Sequence, residues 1–130
     1  MAHRAIQDGI QLILTADIGV RDHDAVTRAQ ELGVDVIVCD HHLPDGGSPP
    51  EHAYAVLCPP QASCSYPNPA LAACGVSLKL ATALLKGHPK ANAILNSMCK
   101  LAAIGTVADV VSLASLENRA IVALGIKSLN

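Results

Sequence analysis

Two short apolar runs separated by one helix-length segment constrain this chain more than any other feature. Residues 11–16 carry Leu12, Ile13 and Leu14 and close on Asp17-Ile18-Gly19; residues 34–39 form the second run and close on Asp40-His41-His42. Between them, residues 25–32 read as a helix, with Asp22 placed to cap its start and Gly33 to end it. Buried strand, helix and buried strand make a β-α-β unit, which is parallel and right-handed. In a parallel sheet, ligands gather beyond the carboxyl ends of the strands. Asp17 and Asp40 lie 23 residues apart (40 − 17), one strand-helix-strand step, so both are expected at the same sheet edge. Neighbouring strands run about 5 Å apart, close enough for side chains at adjacent strand ends to share one cation. That reasoning pairs Asp17 with His41.

The remainder reads as further strand, loops and helices. Residues 2–9 suit a short helix or an ordered lead-in. Residues 43–50, rich in Pro and Gly, are a loop. Residues 54–58 are a third strand, stopped by Pro59-Pro60, which cannot donate to a ladder. Residues 61–69 are irregular. From Leu71 the period changes: Val76, Leu78, Leu80, Ala81, Leu84 and Leu85 suit a helix ending at Gly87. His88-Pro89 opens the next, with Pro89 in its first turn and Ile94, Leu95, Met98, Leu101 and Ala102 on its apolar face. Gly105 marks a change of direction or a close approach. Glu117-Asn118-Arg119 opens a last helix running through Ile126. The 130 residues fit one α/β domain, with the β-α-β unit at 11–39 and a mainly helical part at 71–130. The chain has no Phe and no Trp. Its core must come from small and branched side chains, as in helices packed on a parallel sheet.

Composition also excludes. With a formal charge of −2 and no Lys/Arg run, the chain is not a free-standing DNA-binding module, although local contacts could still hold a nucleic acid. An odd number of scattered cysteines (Cys39, Cys58, Cys64, Cys74, Cys99) fits buried thiols in a reducing compartment rather than a disulfide framework or a zinc site. Without a signal peptide or a long apolar span, a soluble cytoplasmic protein with no membrane partner is expected. Gly46-Gly47 and Gly75 have no Lys at the spacing of a phosphate-binding P-loop.

A carboxylate, an imidazole and a second carboxylate suit a borderline divalent ion such as manganese. Two such ions close together would lower the pKa of bound water and hold phosphoryl oxygens. Either His41 or His42 could be the ligand while its neighbour donates to phosphate or a leaving oxygen. Blander readings stand beside these: Asp17 as a turn residue, His41 and His42 as loop residues, Asp109 as a helix cap. Asp22-His23-Asp24 reads as a helix start with His23 exposed, and His3, His52 and His88 read as surface residues.

Asp40-His41-His42 resembles the defining motif of the DHH phosphoesterase superfamily. The resemblance is to its RecJ branch of single-strand-specific 5'-to-3' DNA exonucleases. Residues 14–19 look like the branch's second motif, residues 37–44 its third and residues 103–111 its fourth, and Glu117-Asn118-Arg119 resembles the stretch that follows. The ordered set covers the chain nearly end to end. It implies a truncated parallel sheet flanked by helices, of the DHH catalytic-domain type, and a phosphodiesterase centre using Mn2+, with Mg2+ as the alternative. Asp17 would bridge two ions; His41 and Asp109 would bind one of them. His42 would contact the scissile phosphate, Asp40 would orient the His pair, and water would attack phosphorus in line. The family also carries a first motif of paired aspartates on an earlier strand and a C-terminal substrate-binding domain. This chain matches neither, so an incomplete catalytic domain is expected, holding one ion or none. A catalytically inactive metal- or phosphate-binding fragment is the alternative. Single-stranded DNA or another phosphodiester is the implied substrate, and a second copy or a complementary chain is the expected cover for an unpaired sheet edge.

Overall fold

The computed structural model describes residue 4 and residues 7–129; His3 and most of the expected lead-in at 2–9 lie outside the described residues. The chain forms two compact units, Met1–Tyr66 and Pro67–Asn130.

The first unit holds strands β1 (Leu12–Ala16), β2 (Asp35–Cys39) and β3 (Ala55–Leu57), helix α1 (His23–Glu31) and a short 3-10 turn at Asp45–Gly47. The sheet is parallel throughout, in the order β1-β2-β3. Ala16 pairs with Cys39 and Cys39 with Leu57, so the strands end in step. The ladder runs one residue further: Asp17 N–H donates to Cys39 O (2.9 Å) and Asp40 N–H to Leu57 O (3.0 Å). Register alone therefore brings Asp17 and Asp40 to one edge, as the strand-helix-strand spacing predicts.

Val20, Val26, Ala29, Val34, Val36, Val38 and Cys58 form the core of this unit, joined by Ile13, Ala53 and Val56. It is built of small, mostly branched side chains. β2 has the expected burial, but β1 is not the buried strand the sequence suggests. Leu12 and Leu14 are 50% and 56% exposed, while Ile13 and Thr15 on its other face are half-buried. Among the described residues β1 is an edge strand with one covered face, so its apolar residues divide between inside and outside. α1 begins at His23 with Asp22 in the N-cap position, yet the Asp22 side chain makes no capping hydrogen bond. Its backbone carbonyl accepts from Val26 N–H instead (3.0 Å). Gly33 ends the helix as expected, at φ +74°.

The second unit is helical: α2 (Ala73–Leu84), α3 (Ala91–Ala108) and α4 (Leu116–Lys127), with α3 packed on both α2 and α4. Two details differ from the sequence reading. α3 starts at Ala91, which leaves Pro89 in the preceding turn, where His88 Nδ1 accepts from Lys90 N–H (3.1 Å). Its buried positions are Ala102, Ala103 and Thr106, while Ile94 and Leu101 are exposed. Small residues face the neighbouring helices because they let the backbones approach. Gly105 sits inside the continuous helix at such an approach: a Cβ there would lie 2.8 Å from Cys74 Sγ. Gly75 is likewise explained by packing, since a Cβ would lie 2.9 Å from Leu71 Cγ.

A polar network ties the loops of this unit together. Asn118, 0% exposed, accepts from Asn68 Nδ2 (2.9 Å) and donates to Ala70 O (2.8 Å) and Ser112 O (2.9 Å). Asn68 Nδ2 also donates to Glu117 Oε2, whose other oxygen pairs with Lys79 Nζ at 2.6 Å. Among the described residues, no helix is long and apolar enough to cross a membrane.

Candidate metal centre

Asp17 leaves the end of β1 at φ +67°. Few L residues adopt this left-handed conformation, and Asp is among the more tolerant of it. Gly19 follows at φ +119°, where a Cβ would lie 2.8 Å from Thr15 Oγ1 and 3.2 Å from Val38 Cγ1. Only glycine can make this turn, which folds residues 17–20 back over the end of β2. The turn delivers the Val20 amide to Asp40.

Asp40 is 1% exposed and every bond it makes organises the site. Its Oδ2 accepts from Val20 N–H (3.0 Å). Its Oδ1 accepts from the amides of His41 (2.8 Å) and His42 (3.2 Å) and lies 2.7 Å from His42 Nδ1. Burial is the largest single influence on this carboxyl and pushes its pKa up. The hydrogen bonds from Val20, the His42 ring and the two histidine amides together outweigh it, and the net pKa lies below the ordinary value. Asp40 is thus held ionised at neutral pH. An ionised carboxylate only accepts, so Nδ1 of His42 carries the proton and donates. Neutral His42 then has the lone pair of Nε2 available to a metal; in its protonated form Nε2 donates to an oxygen anion.

His41 is half-buried, and its Nε2 lies 3.1 Å from Asp17 Oδ1. The His41 and His42 rings meet edge to face, with centroids 4.7 Å apart. Asp17, His41 and His42 each offer one ligand atom, and these atoms lie within 4.8 Å of one another. Ligands on opposite sides of one ion, each at about 2.1 Å, stand roughly 4.2 Å apart. The cluster therefore needs to close by only about half an ångström to share an ion. One carboxylate and two imidazoles form a donor set that fits a divalent transition metal.

The sequence-predicted residues thus fall into three groups. Asp17, His41 and His42 come together; Asp40 lies behind them, both oxygens engaged; Asp109 belongs to the second unit. There it is the C-cap of α3, followed by Val110 at φ +57°. Asp22 and Asp24 start α1 as expected, although His23 beside them is half-buried rather than exposed. Two participants escaped the sequence reading, the Val20 amide and Arg21, and Gly19 was read only as part of the break after β1. Arg21 Nε donates to Leu43 O (2.9 Å) and lies 3.5 Å from Asp45 Oδ1, linking the two loops that carry the cluster. A glycine two residues past a strand-end Asp was the available signal for the tight turn; nothing in the sequence marked the Arg21 bond. Cys58, whose Sγ donates to His42 O (3.3 Å), is pushed up to about 11 by burial and then by the Asp40 charge. It stays a thiol at neutral pH and is no nucleophile.

A parallel sheet whose strand ends present a carboxylate and two imidazoles, organised from behind by a buried aspartate, defines a metal-binding α/β protein. The chain belongs to the DHH family: residues 1–106 match the DHH family, N-terminal domain. It is 43% identical over 129 residues to the single-stranded-DNA-specific exonuclease RecJ of Bacillus subtilis, covering 98% of this chain and 15% of that protein. Against the Escherichia coli protein of the same name it is 40% identical over 114 residues, covering 81% of this chain and 19% of its relative. The crystal structure of exonuclease RecJ bound to manganese superposes with a TM-score of 0.75 at 32% identity, over 95% of this chain and 31% of that one. The structure of RecJ in complex with Mn2+ from Thermus thermophilus superposes at 0.73 with 31% identity, over 98% and 19% of the two chains. The chain spans between 15% and 23% of the length of the curated relatives it matches.

Proposed function

We propose that this chain carries part of the catalytic centre of a metal-dependent phosphodiesterase that hydrolyses single-stranded DNA from the 5' end. The observation that carries this reading is the convergence of Asp17, His41 and His42 within 4.8 Å at the ends of parallel strands. The similarity to RecJ exonucleases supports the choice of substrate, and the manganese in the two related structures supports Mn2+, with Mg2+ as the alternative. Asp17 and His41 are the ion's ligands. When bound, the ion supplies Lewis-acid charge toward phosphoryl oxygens and lowers the pKa of water. Asp40 holds both histidine backbones and locks the His42 ring, and His42 addresses the phosphate through Nε2.

A second reading is metal or phosphate binding without turnover, alone or as a subunit that docks a complementary chain. What favours it is the donor count: one carboxylate and two imidazoles suit one ion rather than two. A single assay separates the readings. Purified protein is given 5'-labelled single-stranded DNA with and without Mn2+. The first reading predicts metal-dependent nucleotide release that falls at least 100-fold in His42→Ala, within the range for loss of an acid–base group. That variant should keep more of its Mn2+ affinity than His41→Ala does. Metal binding with no release in the parent protein would favour the second reading.

A further inference from the structure

β1 is bare in two directions. Its outer edge has no neighbouring strand among the described residues, and the face it turns toward α1 is only partly covered. α1 packs on β2, and beside it an open apolar groove of about 380 Å³ runs over β1. Ile13, Thr15 and Val36 floor this groove, and α1 walls it with Asp22, Ala25 and Arg28 among others. These three wall residues are exposed. Asp22 and Arg28 stand three residues to either side of Ala25 (25 − 22 and 28 − 25). The wall therefore has a small, neutral centre and opposite charges at equal distances from it. Such a pattern is complementary to itself under a two-fold rotation, the operation that builds most homodimers.

We infer that the groove and the β1 edge form one interface for a second copy of this chain. A two-fold axis perpendicular to the sheet pairs β1 antiparallel with its counterpart and joins the two three-stranded sheets into one. Both α1 helices then lie on the same face, antiparallel, on either side of the seam. With the axis at the level of Ala25, Asp22 of each copy stands opposite Arg28 of the other. Because α1 is seated on β2, the two helix axes lie three strand spacings apart, roughly 14 Å. Helices in direct contact stand about 8–10 Å apart, so this gap is filled by side chains. The arginine stem lies along the apolar floor while its head meets the carboxylate. Arg28 donates to Glu31 within its own helix (2.8 Å), and a guanidinium can serve two carboxylates at once. The outward N–H and C=O groups of β1 gain partners. Leu12 and Leu14, 50% and 56% exposed, meet their counterparts on the opposite face. The two β1 strands end in opposite directions, so each Asp17–His41 pair stays open at its own edge of the joined sheet. Edge pairing alone would accept any apolar strand; the charge pattern on α1 selects this chain.

The test reverses the two charges separately and together in the full chain, and reads association by sedimentation velocity over a hundredfold concentration range. The parent chain is expected to reach dimer and stop there. Asp22→Arg sets arginine against arginine across the seam, and Arg28→Asp sets aspartate against aspartate. Each should weaken dimerisation at least about tenfold, since two symmetric pairs turn repulsive at once. An equimolar mixture of the two variants restores opposite charges at both positions and should dimerise nearly as well as the parent, as should the double variant. Both positions tolerate change: Asp22 makes no side-chain capping bond, and the Arg28 side chain is 51% exposed. Ala25→Arg, at an exposed helix position, puts like charges on the axis and keeps the test open should a reversal unfold the chain. Folded reversal variants that dimerise like the parent, or whose mixture fails to recover, overturn the paired wall. So does an undiminished dimer in Ala25→Arg. A parent chain that stays monomeric overturns the second copy as the occupant, and growth beyond dimer overturns the two-fold closure.

Discussion

Asp40 shows how one residue can serve a site without entering it. Four polar groups, three backbone amides and the His42 ring, converge on its carboxylate away from water. Replacing it by Ala would leave those donors unpaired in a place water reaches poorly. Each stranded donor costs roughly 1–3 kcal/mol, and relaxation will recover part of the sum. Asp40→Ala should therefore lose about 3 kcal/mol or more of stability in denaturant unfolding; a loss below about 1 kcal/mol would mean the carboxylate is not the organiser described. The pairing of Asp17 with His41 was legible from strand-end logic alone. Asp40's role came from family resemblance, because a strand-end Asp reads equally well as ligand or orienter until its bonds are seen. Asn118 was not legible as an anchor: an Asn near a helix start looks like an ordinary polar opening residue.

At the scale of elements, the β-α-β unit was readable because its apolar runs are short and bounded and Gly33 closes its helix. α3 was harder. Its Ala-rich sequence is apolar on most sides, so no single face stands out by period, and the small residues proved to be the ones turned inward. The loop between Asp17 and Val20 is the element on which the site depends most. Gly19 there combines positive φ with no room for a Cβ. Gly19→Ala should destabilise the protein by about 2–3 kcal/mol and displace the Val20 amide from Asp40. The denaturant midpoint measures the first effect, and the His42 imidazole resonances in NMR report the second. An Ala variant with wild-type stability and unchanged His42 signals would show that the turn tolerates a side chain.

At the scale of the whole molecule, β1 presents an unpaired edge among the described residues, with Leu12 and Leu14 turned outward. Edges of this kind recruit further strands unless charge or bulk blocks them. We expect the chain to associate with itself as concentration rises, and Leu12→Lys with Leu14→Lys to hold it monomeric. Sedimentation velocity over a hundredfold concentration range decides this; a wild-type chain monomeric throughout would show that the edge is not an association surface. The core of the first unit, the strand register and the placement of Asp40 all converge on one claim, that Asp17 and His41 are poised to hold a divalent ion with His42 beside them. Calorimetric titration of Mn2+ into the protein, with His41→Ala alongside, tests that claim most directly. The structure predicts saturable binding that is weakened at least tenfold in the variant. Equal binding by the two proteins, or none by either, would contradict it.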